Sequence, residues 1–465
     1  MKGFKRYERY KDSGVEWIGE IPEHWGISKI KYLPKYGHNN FIDGDWIESP
    51  YITNEGIRLL QTGNIGVGVF KEQGYRYISK ETFRNLSCTE VYPNDVLICR
   101  LAHPVGRACL APELENRMIT SVDVCILRPK DDIDKKYLVY YLSSNGYLEE
   151  MENQSRGSTR QRISRTQLGE VCVTLPPFLE QQAIANFLDQ KNAEIDSLIA
   201  DKEKLIELLQ EQRQGIITQA VTKGLIPNVP MKDSGVEWIG EIPEHWEVKP
   251  LKRLTSFISR GITPTYVDVS SVKVINQACI YWEKLNIENI KYQKEDLDIS
   301  KGRLYKGDLV INSTGTGTLG RAAIFNLEGS CIADTHVTII RSDKNSLNNR
   351  YLFYLLQTPK YQSYIYSALV TGATNQIELS REGLQNTIII CPFIEEQQAI
   401  ANFLDQKTTE IDLLISDIKT QIFSLKEYRR SLITAAITGK IDVQDYCSYS
   451  IRSEQMEGEE QEEVS

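Results

Sequence analysis

The sequence predicts an α/β fold of the α+β kind: two homologous globular domains, related by a pseudo-two-fold internal duplication and separated by two long antiparallel coiled-coil helices. Three observations predict it. The segment KDSGVEWIGEIPEHW at Lys11–Trp25 recurs unchanged at Lys232–Trp246. A second segment, EQQAIANFLDQK, occurs at Glu180–Lys191 and again at Glu396–Lys407. Chance does not produce two such repeats at nearly one offset, so the chain is a duplication. Finally, each second repeat opens a long stretch of helical apolar periodicity, whereas the stretches before it carry short β-branched runs bounded by turn residues.

The elements follow in order. Residues 1–25 and 227–246 are Trp-containing lead segments, 26–179 and 247–395 are variable domains, and 180–226 and 396–440 are the long helices. Residues 441–465 form an acidic tail expected to be disordered. The two variable domains differ at most positions yet keep a skeleton in register. Tyr92-Pro-Asn-Asp95 answers Tyr305-Lys-Gly-Asp308, and Gly106-Arg107-Ala108 answers Gly320-Arg321-Ala322. Ser121-Val-Asp123 answers Asp334-Thr-His336, and Gly157-Ser-Thr-Arg-Gln161 answers Gly372-Ala-Thr-Asn-Gln376. The runs after Asp95 and Asp308 and those at Val124 and Val337 read as strands; Tyr137–Leu142 and Tyr351–Leu356 read as short helices packed on them.

Proline precedes each long helix (Pro176, Pro177 and Pro392) and glycine follows it (Gly224 and Gly439), the expected punctuation of helix ends. A heptad seam is counted through Ile184, Leu188, Ile195, Leu198, Leu205, Leu209 and Ile216 in the first helix. In the second it runs through Ile400, Leu404, Ile411, Leu414, Ile418, Leu425 and Leu432. Helices of roughly 43 residues, each about 65 Å long if continuous, expose a long apolar stripe unless they pack on one another.

A length of 465 residues exceeds what one core usually holds, and 41% hydrophobic with 25% charged residues is an ordinary globular composition. No apolar run approaches a membrane span and the N-terminus lacks an apolar signal core, so a cytoplasmic protein without membrane contact is expected. Nine scattered cysteines with no C-x-x-C imply reduced, mostly buried thiols. The net charge of −9 taken alone argues against a polyanionic partner. Split by region, it does not: the tail carries eight acidic residues against one arginine, while residues 26–179 sum to +1 and 247–395 to +3.

Catalytic motifs are weak or missing. Ser313–Arg321 is glycine-rich but lacks the Gly-Lys-Ser/Thr ending that places a lysine on phosphate, and reads as a loop between strands. Leu175-Pro-Pro-Phe178 has leucine where an amino-methyltransferase needs an amide or carboxylate, and reads as a helix-entry turn. The histidines (24, 38, 103, 245 and 336) are dispersed, and His24 and His245 suit packing inside the repeat better than catalysis. No catalytic residue and no metal ligand is assigned.

Two related but different surfaces on a rigid helix pair suit double-stranded DNA, whose grooves present successive half-sites at fixed spacing. Arg156, Arg160, Arg162 and Arg165 cluster with Ser158, Thr159 and Gln161, side chains that suit phosphates and base edges; a solvated helix cap is the competing reading. The counterpart Thr374-Asn375-Gln376 carries the amides that pair with adenine. Arg100, Arg107 and Arg321, on loops after the Asp95 and Asp308 strands, are weaker candidates, and Thr314, Thr316 and Arg381 complete the DNA-binding set.

On these residues the chain resembles the specificity subunit of type I restriction-modification enzymes. The carriers are the paired Trp17/Trp25 and Trp238/Trp246 segments, the Asn94-Asp95 and Gly307-Asp308 strand starts, the two Gly-x-Thr-x-Gln loops and the two Glu-Gln-Gln helix starts, over residues 11–440. The resemblance implies two target recognition domains that each read one half of a bipartite, asymmetric sequence. It further implies a helix pair that sets the spacing and docks two methyltransferase (modification) subunits, and restriction/translocase subunits that join them. S-adenosylmethionine, ATP and magnesium would belong to those partners and none to this chain. A specificity module of a methylation-only or type IIG-like system, and a coiled-coil scaffold that binds no DNA, remain the alternatives.

Overall fold

The computed structural model describes residues 4–37, 39–101, 103–155, 161–282, 284–372 and 377–444. It divides into two compact units, one built from the chain up to Lys202 and from Thr420 on, the other from Glu203–Lys419. Each therefore contains one variable domain, the start of that domain's own long helix and the end of the other one.

In the first unit an antiparallel four-stranded sheet runs in the order Phe41–Asp43, Val124–Leu127, Val96–Cys99, Ala108–Leu110. In the second unit Thr255–Arg260, Val337–Ser342, Leu309–Asn312 and Ala322–Ile324 repeat that order. Each unit adds a second four-stranded sheet with one parallel pair, Met118–Thr120 on Ile57–Leu60 and Ser330–Ala333 on Val272–Ile275. The central strands are buried on both faces, which is why Val-Leu-Ile-Cys and Leu-Val-Ile read as continuous apolar runs. The predicted short helices are present at Lys135–Tyr141 and Asn349–Leu356, capped by Asp134 and Asn348.

The turn into each central strand explains its shared residues. Asn94 and Gly307 take left-handed φ values of 64° and 92°, which Asn and Gly tolerate best. The next residue, Asp95 or Asp308, accepts from the backbone N–H of Tyr92 (2.9 Å) or Tyr305 (2.8 Å). Each carboxylate is buried and paired with an arginine, Arg128 at 2.9 Å just past the end of the neighbouring strand and Arg341, whose Nε lies at 2.8 Å, within it. Those guanidiniums lie over the Tyr92 and Tyr305 rings. Asp95 and Asp308 thus hold the strand start.

The lead segments and helix starts are identical because they lock together. Trp25 is fully buried and donates its indole N–H to Glu180 at 3.0 Å, and His24 contacts the other carboxylate oxygen at 2.9 Å. Trp246 and His245 hold Glu396 at 2.9 and 3.0 Å, both through one carboxylate oxygen. The next residue also repeats: Gln181 binds the Asp134 N–H and the Pro176 carbonyl, and Gln397 binds the Asn348 N–H and the Pro392 carbonyl. A buried tyrosine then receives the helix end supplied by the other repeat. Tyr137 Oη reaches the Ile437 carbonyl in the first unit, and Tyr351 Oη reaches the Val221 carbonyl in the second.

The long helices span Phe178–Lys223 and Ile394–Ile437. They run antiparallel within each unit. In the first, Asp196 pairs with Arg429 and Lys202 with Gln421, so partner numbers fall on one helix as they rise on the other. In the second, Arg213 pairs with Asp412 at 3.5 Å, and Ile217, Ala220 and Val221 share a core with Ile400, Ala401 and Leu404.

The seam needs correcting. Ile184, Leu188, Ile195, Ile400, Leu404, Ile411, Ile418 and Leu432 are buried and Leu209, Ile216 and Leu425 half-buried, but Leu198, Leu205 and Leu414 are exposed. Ile199, Ile415 and Ile422 are buried in place of a neighbour one residue earlier, and Ile206 is half-buried where Leu205 is exposed. Steps of three and four alternate in any heptad seam, and reversing their order shifts every second position by one residue. All eight described cysteines are unpaired, and burial pushes the Cys88 thiol up to about 11 and Cys109 to about 12.

Candidate nucleic-acid interface

Three segments of the shared skeleton, distant in sequence, meet at one end of each four-stranded sheet. In the first unit the Arg100 N–H donates to the Asp123 carbonyl at 2.8 Å, and the Ile163 N–H donates to the Arg100 carbonyl at 3.0 Å. In the second, the Ser313 N–H donates to His336 at 2.8 Å and the Leu379 N–H to the Ser313 carbonyl at 2.8 Å. The loops after Cys99 and Asn312, the turns at Ser121 and Asp334, and the chain leaving each Gly-x-Thr-x-Gln loop therefore share one rim. Arg156, Ser158, Thr159 and Arg160, and likewise Thr374, Asn375 and Gln376, lie outside the described residues.

The remaining candidates separate by burial. Gln161, Arg162, Thr316 and Arg381 are exposed, and Arg165 and Arg321 are half-buried. Arg162 reaches Asp123 at 2.8 Å and Arg165 lies 3.8 Å from Asp43, so part of the arginine charge on this rim is already balanced. Thr314 is buried, with its hydroxyl 2.8 Å from His336 Nδ1.

Arg100 and Arg107 are turned inward and have to be reassigned as loop anchors. Arg100 donates to the Ile163 and Val122 carbonyls at 3.1 and 2.7 Å and pairs with Asp43 at 3.1 Å. Arg107 is buried, with bonds to the carbonyls of Ile65 (2.6 Å), Thr62 (2.8 Å) and Pro104 (2.9 Å). A guanidinium satisfied by that many carbonyls has little to offer a duplex. The sequence reading missed Tyr281 and Gln277, which sit beside Arg321 and Thr314 in the second unit, and the buried Asn312 beneath them. The exposed Tyr281-Trp282 pair in an otherwise polar turn was the available signal.

Among the described residues, no group of three or more His, Cys, Asp or Glu is placed to hold a metal ion. No described helix is long and apolar enough to cross a membrane.

Residues 27–208 and 243–423 each match the type I restriction modification DNA specificity domain. The chain belongs to that family. Its relatives include the type I restriction enzyme MjaVIII specificity subunit of Methanocaldococcus jannaschii, 25% identical over 91% of this chain and 95% of that protein. The EcoBI specificity subunit of Escherichia coli is 23% identical over 76% of this chain and 75% of its own length. Among solved structures, one describing assembly and conformational transition of a type I R-M system matches with a TM-score of 0.68 and 14% identity, over 90% of this chain and 98% of that one. The HsdS subunit from Thermoanaerobacter tengcongensis matches at 0.55 and 14%, over 92% and 100%. At such identities these structures speak for the fold. The two specificity domains thus share a frame.

Proposed function

We propose that this chain reads a bipartite, asymmetric DNA sequence for a type I restriction-modification complex, one half-site per specificity domain, and performs no chemistry itself. One contrast carries the reading: the Trp–His–Glu frame is the same in both units, while the rims that would face a duplex differ. A surface that docks the same partner twice must be equal twice, whereas surfaces that read two half-sites must differ. Arg162, Arg165, Arg321 and Arg381, with Arg156, Arg160 and Gln376, are the side chains assigned to DNA; Arg100 and Arg107 hold the loops beneath. The long helices set the spacer and carry two methyltransferase subunits, through which a restriction subunit joins. Those partners hold S-adenosylmethionine, ATP and magnesium, and supply the base flipping that methylation of a duplex demands.

The test is selection from a randomised duplex library by the chain with its methyltransferase partner, repeated across a salt series. The expected result is two enriched blocks at one fixed spacing. Removing about one heptad between residues 180 and 222 should alter the spacing or abolish binding and leave the bases unchanged. No enrichment at any salt concentration would overturn the reading, and altered bases after the deletion would overturn the role of the helices.

A further inference from the structure

Arg107 and Arg321 occupy one place in the fold and do different things there. Their equivalence is set by the backbone: Cys99 N–H donates to the Arg107 carbonyl and Asn312 N–H to the Arg321 carbonyl, each at 2.8 Å. Gly106 and Gly320 donate back to Cys99 and Asn312 at 2.8 and 2.9 Å. Beside them sits a short 3-10 turn in each unit, Thr62–Asn64 or Gln277–Cys279, followed by Ile65 or Ile280.

In the first domain Arg107 ties down the Thr62 and Ile65 carbonyls. In the second, Asn312 has taken over: its amide donates to the Gln277 and Ile280 carbonyls at 3.1 and 3.5 Å. Cys99 cannot do this, because its thiol is a weak donor turned to the Leu101 carbonyl. The anchoring duty has passed to Asn312, yet the arginine remains. Its Nε is buried without a hydrogen-bond partner, and its guanidinium lies over the Tyr281 ring, 5.0 Å from the centroid. Tyr281 is 59% exposed and stands where the first domain has Gly66, a position where a Cβ would come within 2.6 Å of the Val69 carbonyl.

We propose that Arg321, oriented by Tyr281, is a base-reading side chain of the second specificity domain and recognises a guanine edge in its half-site. This rests on the proposed DNA-reading function. No described residue accepts from this guanidinium, so its terminal nitrogens are free to donate outside the domain, and stacking on a ring fixes the plane of its donor fork. Such a fixed plane suits the paired O6 and N7 acceptors of guanine. A phosphate contact needs no platform.

The experiment compares wild type, Arg321→Ala, Arg321→Lys, Tyr281→Ala and Arg107→Ala, each as the full chain with its methyltransferase partner. Selection from a randomised duplex library, thermal melting and the salt dependence of binding are read for each. Arg321→Ala and Arg321→Lys should relax one G·C position in one block, weakening the matched site by about 10- to 100-fold. The other block, the spacer and the melting temperature should hold. Tyr281→Ala should act on the same position more weakly, and Arg107→Ala should lower the melting temperature and relax no position. The proposal is overturned if the Arg321 variants select the wild-type motif, if they weaken all sequences equally with a shallower salt slope, or if they melt as early as Arg107→Ala. A wild type that selects no motif would instead overturn the DNA-reading function itself.

Discussion

The lock around Glu180 and the lock around Glu396 contain the same residues at nearly the same distances, yet one is sealed and the other open. In the first unit Phe4 packs on Phe187, Tyr7 donates its hydroxyl to Glu180, and Tyr10 donates to the Gly439 carbonyl at 3.0 Å. The Glu180 side chain is left 4% exposed. Burial, with the Glu180 carboxylate beside it, raises the Tyr7 pKa and keeps that hydroxyl a donor. In the second unit the corresponding stretch is the connection after Gly224. Phe393 stacks on His245 from the solvent side, and Glu396 keeps 23% exposure. The frame therefore needs the tryptophan, the glutamate and the tyrosine that receives a helix end. The cover is an addition, and it should change how much each frame residue is worth.

The largest effect is expected from Trp25→Ala against Trp246→Ala. Removing a fully buried tryptophan costs about 3–5 kcal/mol through lost burial and the cavity left behind. Each variant also takes a donor from a carboxylate, and the less exposed Glu180 has less water to replace it. Trp25→Ala should be the more damaging. Hydrogen exchange resolves the units, with Gly26–Lys29 reporting on the first and Glu247–Pro250 on the second. Equal loss of protection in the two variants would mean that the cover contributes nothing to the frame.

A smaller contrast lies at the glycines that end the long helices. Both are left-handed, with φ of 68° at Gly439 and 77° at Gly224, so alanine costs about 1–2 kcal/mol at either from backbone strain alone. A Cβ at Gly439 would also fall 2.3 Å from Pro22 Cδ, whereas at Gly224 its nearest neighbour is Trp246 at 3.2 Å. Gly439→Ala should exceed Gly224→Ala by about 1 kcal/mol or more, since overpacking a filled site typically costs 1–3 kcal/mol. Equal midpoint shifts in urea would show that Pro22 moves aside freely.

Much of this frame was legible in the sequence, because identity at two places announces a shared constraint. Even the Asp95–Arg128 and Asp308–Arg341 pairs left a trace, a separation of 33 residues in each copy. The seam was legible in period but not in phase: Leu198 and Ile199 both satisfy an apolar pattern, and packing decides between them. Isoleucine recurs at the packed alternates 199, 206, 415 and 422, a hint from β-branching that at the first three outranks the leucine beside it. The rim was the least legible part. Whether an arginine faces in or out depends on carbonyls brought from elsewhere, as Thr62 and Ile65 are to Arg107. Nothing near Arg107 in the sequence announces them.

The smallest expected effect compares one surface site across the units. In the first, Glu170 lies between Lys29, at 2.8 Å, and Lys31, and hydrogen bonds from both lysines bring its carboxyl from 4.5 down to about 2. In the second, Asn386 takes the glutamate's place and accepts from Lys252 at 2.7 Å, while Pro250 stands where Lys29 would be. A carboxylate whose pKa is depressed on folding contributes its full stabilisation above the unfolded value; the contribution fades as pH falls from about 4.5 and is gone below about 2. Acid should therefore loosen the Gly26–Lys29 edge of the first unit over that window, with no matching step from the amide in the second. Because the site is exposed, the effect is slight and salt-sensitive. A carboxyl titration of Glu170 by NMR should place its midpoint near 2 at low salt, moving toward 4.5 in about 1 M salt, where the Debye length is about 3 Å. A midpoint near 4.5 at low salt would show that the lysines do not hold it, and that glutamate and asparagine are interchangeable there.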